Sequence, residues 1–344
     1  MKRKAKKIVL ILFLLILFAI IGFLAMKIIG QKSMLSHETQ DVIMLEPELK
    51  DVVVEDQGMS VTYNGEKYIY NENITSVLCM GVDKEALNEE ELVVGSAGQA
   101  DMLMLAVMDT ESGKVTLWNI SRDSMTEVDV YNVNGDYVKT EKMQACLAFA
   151  YGDGKHGSCE NVVRTVSRLL YGMPIQSYAA IDLAAIEPLN DAIGGVEVLI
   201  HEEDILHGRF KPGERVLLMG EDVGFYVTSR RTEIPGEPID SNNNRMARQK
   251  QYMTNFIYKV MQKTQEDIST PLNLYNIVKK NDHIITNLDT SRIAYLTTKA
   301  MKVNFSEDGF LTIPGEVIAG EHAEYHVDDE ALYQMILDTF YIKQ

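Results

Sequence analysis

Between Thr228 and Gln251 the sequence sets Arg230, Arg231, Arg245, Arg248 and Lys250 against Glu233, Glu237 and Asp240, a basic island in a chain of formal net charge −17. Arginine presents a rigid fork of N–H donors that grips phosphate oxygens two at a time, so such a cluster suits a pyrophosphate. Upstream, Asn119-Ile120-Ser121-Arg122-Asp123 places an Arg-Asp pair at the end of an apolar run, and Ala100-Asp101 places a carboxylate at the start of the preceding one. Two antiparallel strands joined by a short turn bring the end of one beside the start of the other. Asp101 and Asp123 would then be neighbours, a hard-oxygen pair suited to Mg²⁺. Arginines plus a carboxylate-held cation describe phosphoryl transfer by positioning and charge neutralisation. Taken singly, each feature also fits a plainer role: an acid solvated at a strand end, or a basic helix end in water.

The elements that must position these residues are readable. Val61–Tyr63 and Lys67–Tyr70 flank an Asn64-Gly65 hairpin turn. Ser76–Met80, Met102–Met108, Val115–Ile120, Ser177–Ile181 and Val196–Ile200 read as strands. Met143–Tyr151, Cys159–Leu170 and Leu183–Ile193 read as helices, as does 329–340 in the tail. The segment 242–263 has the clearest helical period of the body: Met246, Met253, Phe256, Ile257 and Val260 share one face, and Arg245, Arg248, Gln249 and Tyr252 the adjoining one. Strands interleaved with helices predict an α/β protein, a single α/β/α sandwich with a mixed central sheet.

The 344 residues divide unevenly in charge. Residues 1–30 carry six basic side chains and no acid, leaving 27 basic against 50 acidic in the rest, a net −23. An acidic body of this kind is no generic nucleic-acid binder. From Ile8 to Met26 there is no charge, long enough at about 1.5 Å per residue to approach the bilayer's hydrocarbon thickness. A cleaved secretory signal has a shorter apolar run and a small-x-small site; here Lys27 closes the run. The expected organisation is a cytoplasmic basic stub at 1–7, a transmembrane anchor over 8–29, an extracellular linker over 30–60 and an extracellular domain over 61–344, oriented by the positive-inside rule. Of the three cysteines, Cys146 and Cys159 either pair as a disulfide or, with Cys79, remain thiols. The scattered histidines, His283 and His326 among them, read as surface residues.

In order along the chain, Asn119–Asp123, Lys142-Met143-Gln144-Ala145 before Phe149-Ala150-Tyr151-Gly152, Asp191-Ala192-Ile193-Gly194-Gly195-Val196, Leu218-Met219-Gly220-Glu221 before Tyr226-Val227, and Arg245-Met246-Ala247-Arg248-Gln249 resemble the LytR–CpsA–Psr family of membrane-anchored wall-polymer ligases. The resemblance covers a motif core at 76–263, with 264–344 as a less specific extension. It implies an Mg²⁺-dependent phosphotransferase acting at the membrane. Such an enzyme moves a glycopolymer, of teichoic-acid or capsular type, from a polyprenyl-pyrophosphate carrier to a peptidoglycan sugar hydroxyl. Carried over, Asp101 and Asp123 hold the metal; Arg122, Lys142, Arg230, Arg231, Arg245 and Arg248 grip the pyrophosphate with Gln249 in support; and Arg122, Asp123, Arg230 and Arg245 form the catalytic set. Apolar helices around 143–151, 159–170 and 183–193 would flank a lipid slot.

Three positions depart from that pattern: Gln99 and Thr228 stand where the family has arginine, and Asn242 where it has aspartate, with Arg231 able to replace one lost charge. A non-catalytic binding or sensory module for lipid-linked glycans, or a pyrophosphate hydrolase on the same site, are the alternative readings.

Overall fold

The structure is a computed structural model that describes residues 28–34, 49–84, 86–87, 95, 97–201, 208–229, 241–300, 307–318 and 322–344. The basic stub, residues 8–27 of the anchor, residues 35–48 of the linker, Arg230, Arg231 and Asp240 lie outside the described residues. Among those described, no helix is long and apolar enough to cross a membrane.

Strand β1 (Val52–Glu55) pairs with β2 (Ser60–Tyr63), which turns at Asn64-Gly65 into β3 (Glu66–Tyr70). Both turn residues have positive φ, 51° and 79°, the backbone that a two-residue hairpin demands. The ordered body therefore starts at least at β1, within the segment expected to be linker. Then come β4 (Ile74–Val82), β5 (Ala100–Asp109), β6 (Val115–Ile120), β7 (Met125–Tyr131) and β8 (Tyr137–Gln144), followed by helices α1 (Leu147–Ala150) and α2 (His156–Leu169). After β9 (Ser177–Ile181) the chain forms α3 (Ile186–Ala192), β10 (Val196–Leu199), β11 (Arg215–Leu218), α4 (Glu221–Thr228), α5 (Ser241–Glu266) and α6 (Thr270–Lys280). It closes through β12 (Ile284–Thr286), α7 (Thr290–Ala300), β13 (Phe310–Thr312), β14 (Gly315–Ile318), β15 (Glu324–Val327), α8 (Asp329–Phe340) and β16 (Tyr341–Lys343).

The central sheet has six strands in the order β12-β9-β4-β5-β6-β13 and is mixed, with β4 parallel to β9 and β6 parallel to β13. Side chains alternate across a strand, so its faces differ. Leu78, Met80, Leu103 and Leu105 are buried in the main core with Val162 and Val166 of α2 and Ile336 and Leu337 of α8. The opposite face carries Val77, Cys79, Gly81, Met102 and Ala106, mostly small and only partly covered. A second core forms where Val196 and Val198 of β10 meet Val223 and Tyr226 of α4 and Tyr252 of α5.

Two expectations are corrected. The helix expected over 143–151 is instead the end of a β7–β8 hairpin and a single-turn helix, α1. The charged, exposed Tyr137–Gln144 has no buried side to generate a period. Helices α1 and α2 pack in the main core rather than around a slot; of the three helices expected there, only the 183–193 segment lines the cleft. All three cysteines are free thiols.

Candidate functional site

Because β4 and β9 run parallel, and β5 and β6 alternate against β4, the ends of β4, β6 and β9 and the start of β5 fall on one edge of the sheet. Asp83, Asp101, Arg122-Asp123 and Asp182 are carried there. Strand ends in such sheets are where ligands bind, because the main chain diverges and leaves a crevice.

Asp101 reaches this crevice through a β-bulge. Gly81 pairs with Met102 and Val82 with Ala100, so β5 has one extra residue, Asp101, between them. In unbroken alternation Asp101 would share the buried face of Leu103 and Leu105; the bulge re-aims it. Gly98 makes the approach to the bulge feasible: its φ is +88°, and a Cβ there would stand 2.8 Å from Lys84 Cγ.

Arg122 joins the acids. Its Nη1 donates to Asp101 Oδ1, its Nε to Asp123 Oδ1 at 3.4 Å and its Nη2 to Gln99 Oε1 at 3.0 Å. Gln144 of β8 donates to the same Asp123 oxygen at 3.4 Å and to the Ala323 carbonyl at 2.6 Å, tying the C-terminal hairpin to the site. Burial pushes the Asp101 carboxyl above the ordinary carboxylate range; Arg122 and Arg245 oppose this, and the Asp83 and Asp123 charges add to it. Asp83, one residue past the end of β4 and outside the expected set, is thus a third acid of the cluster; the only sequence signal for it is a carboxylate directly after an apolar strand.

Beside the cluster opens a cavity of about 240 Å³. Asp83, Asp101, Asp182, Thr228, Arg245 and Gln249 are among its polar lining, and Ile181, Leu183, Ile186, Leu189, Val227, Met253 and Phe256 form its apolar walls. From α5 the contributors are Arg245, Gln249, Tyr252, Met253 and Phe256, spaced 0, 4, 7, 8 and 11 along one helical stripe. Gln249 is held by donating to the Val227 carbonyl at 3.0 Å, and Tyr252 by donating to Asn190 Oδ1 at 3.2 Å. Asp182, also in the lining, is fixed by the Ala185 and Leu87 amides and by His283 Nδ1 at 3.0 Å. His283 is therefore part of the cleft's support rather than a bare surface residue. Farther along the same sheet face lies a second, almost wholly apolar cavity of about 320 Å³, lined by Val77, Ala106, Met108, Tyr275, Ile293 and Leu296. The register pair Cys79–Met104 stands between the two cavities, with Met104 5% exposed.

Asp101, Arg122, Asp123, Arg245 and Gln249 are brought together. Two expected members of the grip are placed elsewhere. Arg248 is 0% exposed; its Nε donates to the Tyr226 carbonyl at 3.0 Å and its Nη2 to the Ser229 carbonyl, and it is absent from the cavity lining. It lies one position before Gln249, about 100° around the helix, and staples α5 to the end of α4. Lys142 is exposed on β8, on the hairpin face it shares with Gln144 two residues on, and does not line the cavity.

The donor chemistry of the acids fits a hard cation. Arg122 engages Oδ1 of both Asp101 and Asp123, and a carboxylate has a second oxygen that can ligate a hard cation. Among the described residues no three His, Cys, Asp or Glu side chains are arranged to hold a metal. Two carboxylates with water and phosphate oxygens completing the shell is the usual Mg²⁺ arrangement.

Comparison with known proteins adds the following. The model of the LytR_cpsA_psr family matches residues 43–339. Cell wall biosynthesis protein LcpA of Corynebacterium glutamicum is 27% identical over 212 residues, 54% of this chain and 40% of LcpA. The polyisoprenyl-teichoic acid–peptidoglycan teichoic acid transferase TagU of Bacillus cereus is 25% identical over 244 residues, 71% of each chain. The chain thus spans under half the length of LcpA and about 71% of TagU. Among solved structures, TagT bound to LIIa-WTA superposes with a TM-score of 0.54 at 17% identity, covering 78% of this chain and 89% of TagT. That likeness establishes the α/β fold.

Proposed function

The chain belongs to the LytR_cpsA_psr family, and on that premise we propose that it transfers a glycopolymer from a polyprenyl-pyrophosphate carrier to a peptidoglycan sugar hydroxyl, forming a phosphodiester. The observation that carries this reading is the cleft's two-part chemistry: Arg245, Gln249 and the Asp83/Asp101/Arg122/Asp123 cluster at one end, and an apolar trough at the other. Such a cleft suits one ligand with a doubly charged head and a hydrocarbon tail. The second apolar cavity, on the same sheet face, extends the trough for a longer tail.

In the reaction the sugar hydroxyl oxygen bonds to the glycan-side phosphorus and the bond from that phosphorus to the bridging oxygen breaks. Polyprenyl phosphate leaves and the hydroxyl proton is released. Arg122 and Arg245 neutralise charge on the phosphoryl oxygens, with Arg230 and Arg231 assigned the same task. The Asp101/Arg122/Asp123 cluster fixes the head before reaction, so little reorganisation is needed at the transition state. Mg²⁺, held by Asp101 and Asp123, would supply Lewis-acid stabilisation of the pyrophosphate.

The site is assigned to the outer face of the cell membrane, anchored by the charge-free run Ile8–Met26 with the N-terminus cytoplasmic. Residues 28–34 are helical and seat on the domain, with Met34 buried and Ser33 accepting from Arg292 Nε at 2.9 Å, so a membrane anchor ahead of them would hold the domain close to the bilayer.

The test is an assay of the full chain with polyprenyl-pyrophosphate oligosaccharide, Mg²⁺ and uncrosslinked peptidoglycan. Polymer-linked glycan is expected. Free phosphate-ended polymer would instead identify a hydrolase, and binding without turnover a sensory module.

A further inference from the structure

One of the residues that depart from the family pattern is heavily hydrogen-bonded at the site's base. Gln99 stands where an arginine is expected, and its side chain does what an arginine cannot: it accepts. Its Oε1 takes Arg122 Nη2 at 3.0 Å and faces Cys146 Sγ at 3.8 Å. Its backbone carbonyl accepts from the amides of both Asp83, at 2.9 Å, and Asp101, at 3.0 Å. Cys146 closes the frame from the other side, its amide donating to the Arg122 carbonyl at 3.0 Å and its carbonyl accepting from Ala100 at 3.2 Å. Burial pushes the Cys146 thiol up to about 11, so it stays protonated and serves as a weak donor to Gln99.

We propose that Gln99 is the positioning residue of this site: it holds Arg122 against Asp101 and Asp123 through a neutral acceptor, in place of a cation that would bind the ligand itself. This rests on the reading of the cleft as a pyrophosphate site. With three of the five guanidinium N–H donors committed to Asp101, Asp123 and Gln99, the other two are left for phosphate oxygens in a fixed direction. A second guanidinium at position 99 would offer Arg122 no acceptor and would repel it. The chain thus has one cation fewer at the pyrophosphate, exchanged for a rigidly held one.

The experiment compares the full-length wild type with Gln99→Ala and Gln99→Glu in two assays: calorimetric binding of inorganic pyrophosphate, and kcat and KM for polymer transfer. Removing the acceptor releases a hydrogen bond to a charged group, so Gln99→Ala is expected to lower kcat about tenfold to hundredfold, with KM changed less than threefold. Gln99→Glu keeps the acceptor and is expected to restore kcat to within about threefold. It adds a negative charge beside the ligand and so weakens pyrophosphate binding and raises KM about tenfold. A merely structural role would lower melting temperature and kcat together in both variants, without that split, and would overturn the proposal. So would a Gln99→Ala enzyme with wild-type kcat. A wild type that neither binds pyrophosphate nor transfers polymer would overturn the pyrophosphate reading and this proposal with it.

Discussion

Asp101 and Arg122 face one another two positions beyond the last register pair of the β5–β6 ladder, Leu103–Ile120, and close that end of the sheet with an ion pair. The pair is three-sided, because Asp123 takes the Nε of the same guanidinium. A cation so held is pre-aimed, and its removal should cost transition-state stabilisation rather than folding. Arg122→Ala and Asp123→Ala are each expected to lower transfer by about a hundredfold to a thousandfold with a wild-type circular dichroism spectrum. Wild-type rates in both would remove the assigned site.

If Asp101 ligates Mg²⁺ as its carboxylate, protons and metal compete for it. Its pKa is raised, by burial first, so it protonates at a higher pH than an ordinary aspartate at about 3.9. Chelation with EDTA should abolish transfer and added Mg²⁺ restore it. The acid limb of the rate profile should move to lower pH as Mg²⁺ is raised. Asp101→Asn should be inactive at every pH and Mg²⁺ concentration, as read by initial rates.

Arg245 and Arg248 differ by less than a helical turn yet should fail in opposite ways. Arg245→Ala is expected to raise KM for the lipid-linked substrate about tenfold or more while leaving melting temperature near wild type. Arg248→Ala strands the carbonyls of Tyr226 and Ser229 and should cost about 2–3 kcal/mol in urea denaturation.

Met104 sits in the row between the two cavities. Met104→Trp should obstruct passage along the trough. KM is expected to rise several-fold for carriers of many isoprene units and to stay unchanged for those of two or three, measured across a chain-length series. Overpacking at about 1–3 kcal/mol should leave the domain folded.

Asp129, which does not line the cleft, is a stability residue. Burial raises its carboxyl, but the bonds from Arg168 and Thr140 and the Arg164 charge prevail and hold it below the usual range. A depressed folded pKa contributes stability that is present above the unfolded value of about 3.9 and is lost as pH falls through the folded one. Asp129→Asn is expected to cost about 2 kcal/mol at pH 7. The difference from wild type should shrink on acidification below pH 4, by thermal melts at both values.

Of the six strands of the central sheet the sequence by itself determined β4, β5, β6 and β9 but not the three-residue β12 and β13; it also determined the long helix carrying Arg245 and Gln249, and the meeting of Asp101 with Asp123. These depend on local periodicity and on the simple adjacency of strands joined by a short turn. The tail helix expected at 329–340 is observed at Asp329–Phe340 because a Pro-free amphipathic run with an Asp328 cap needs no distant partner to define it.

Only the tertiary structure decided which of several charges serve the cleft. Arg245 and Arg248 look alike on a helical wheel, and their fates diverge because α4 lies against one side of the helix and supplies carbonyls there. Asp101 enters the cleft only through a one-residue bulge, and Asp83 joins it only through the pairing of β4 with β5. Gln99 reads in sequence as a lost cation; folded, it is the acceptor that holds Arg122. Periodicity reports which face a residue is on, but hydrogen-bond partners and the direction of a side chain at a strand end are set by segments distant in the chain.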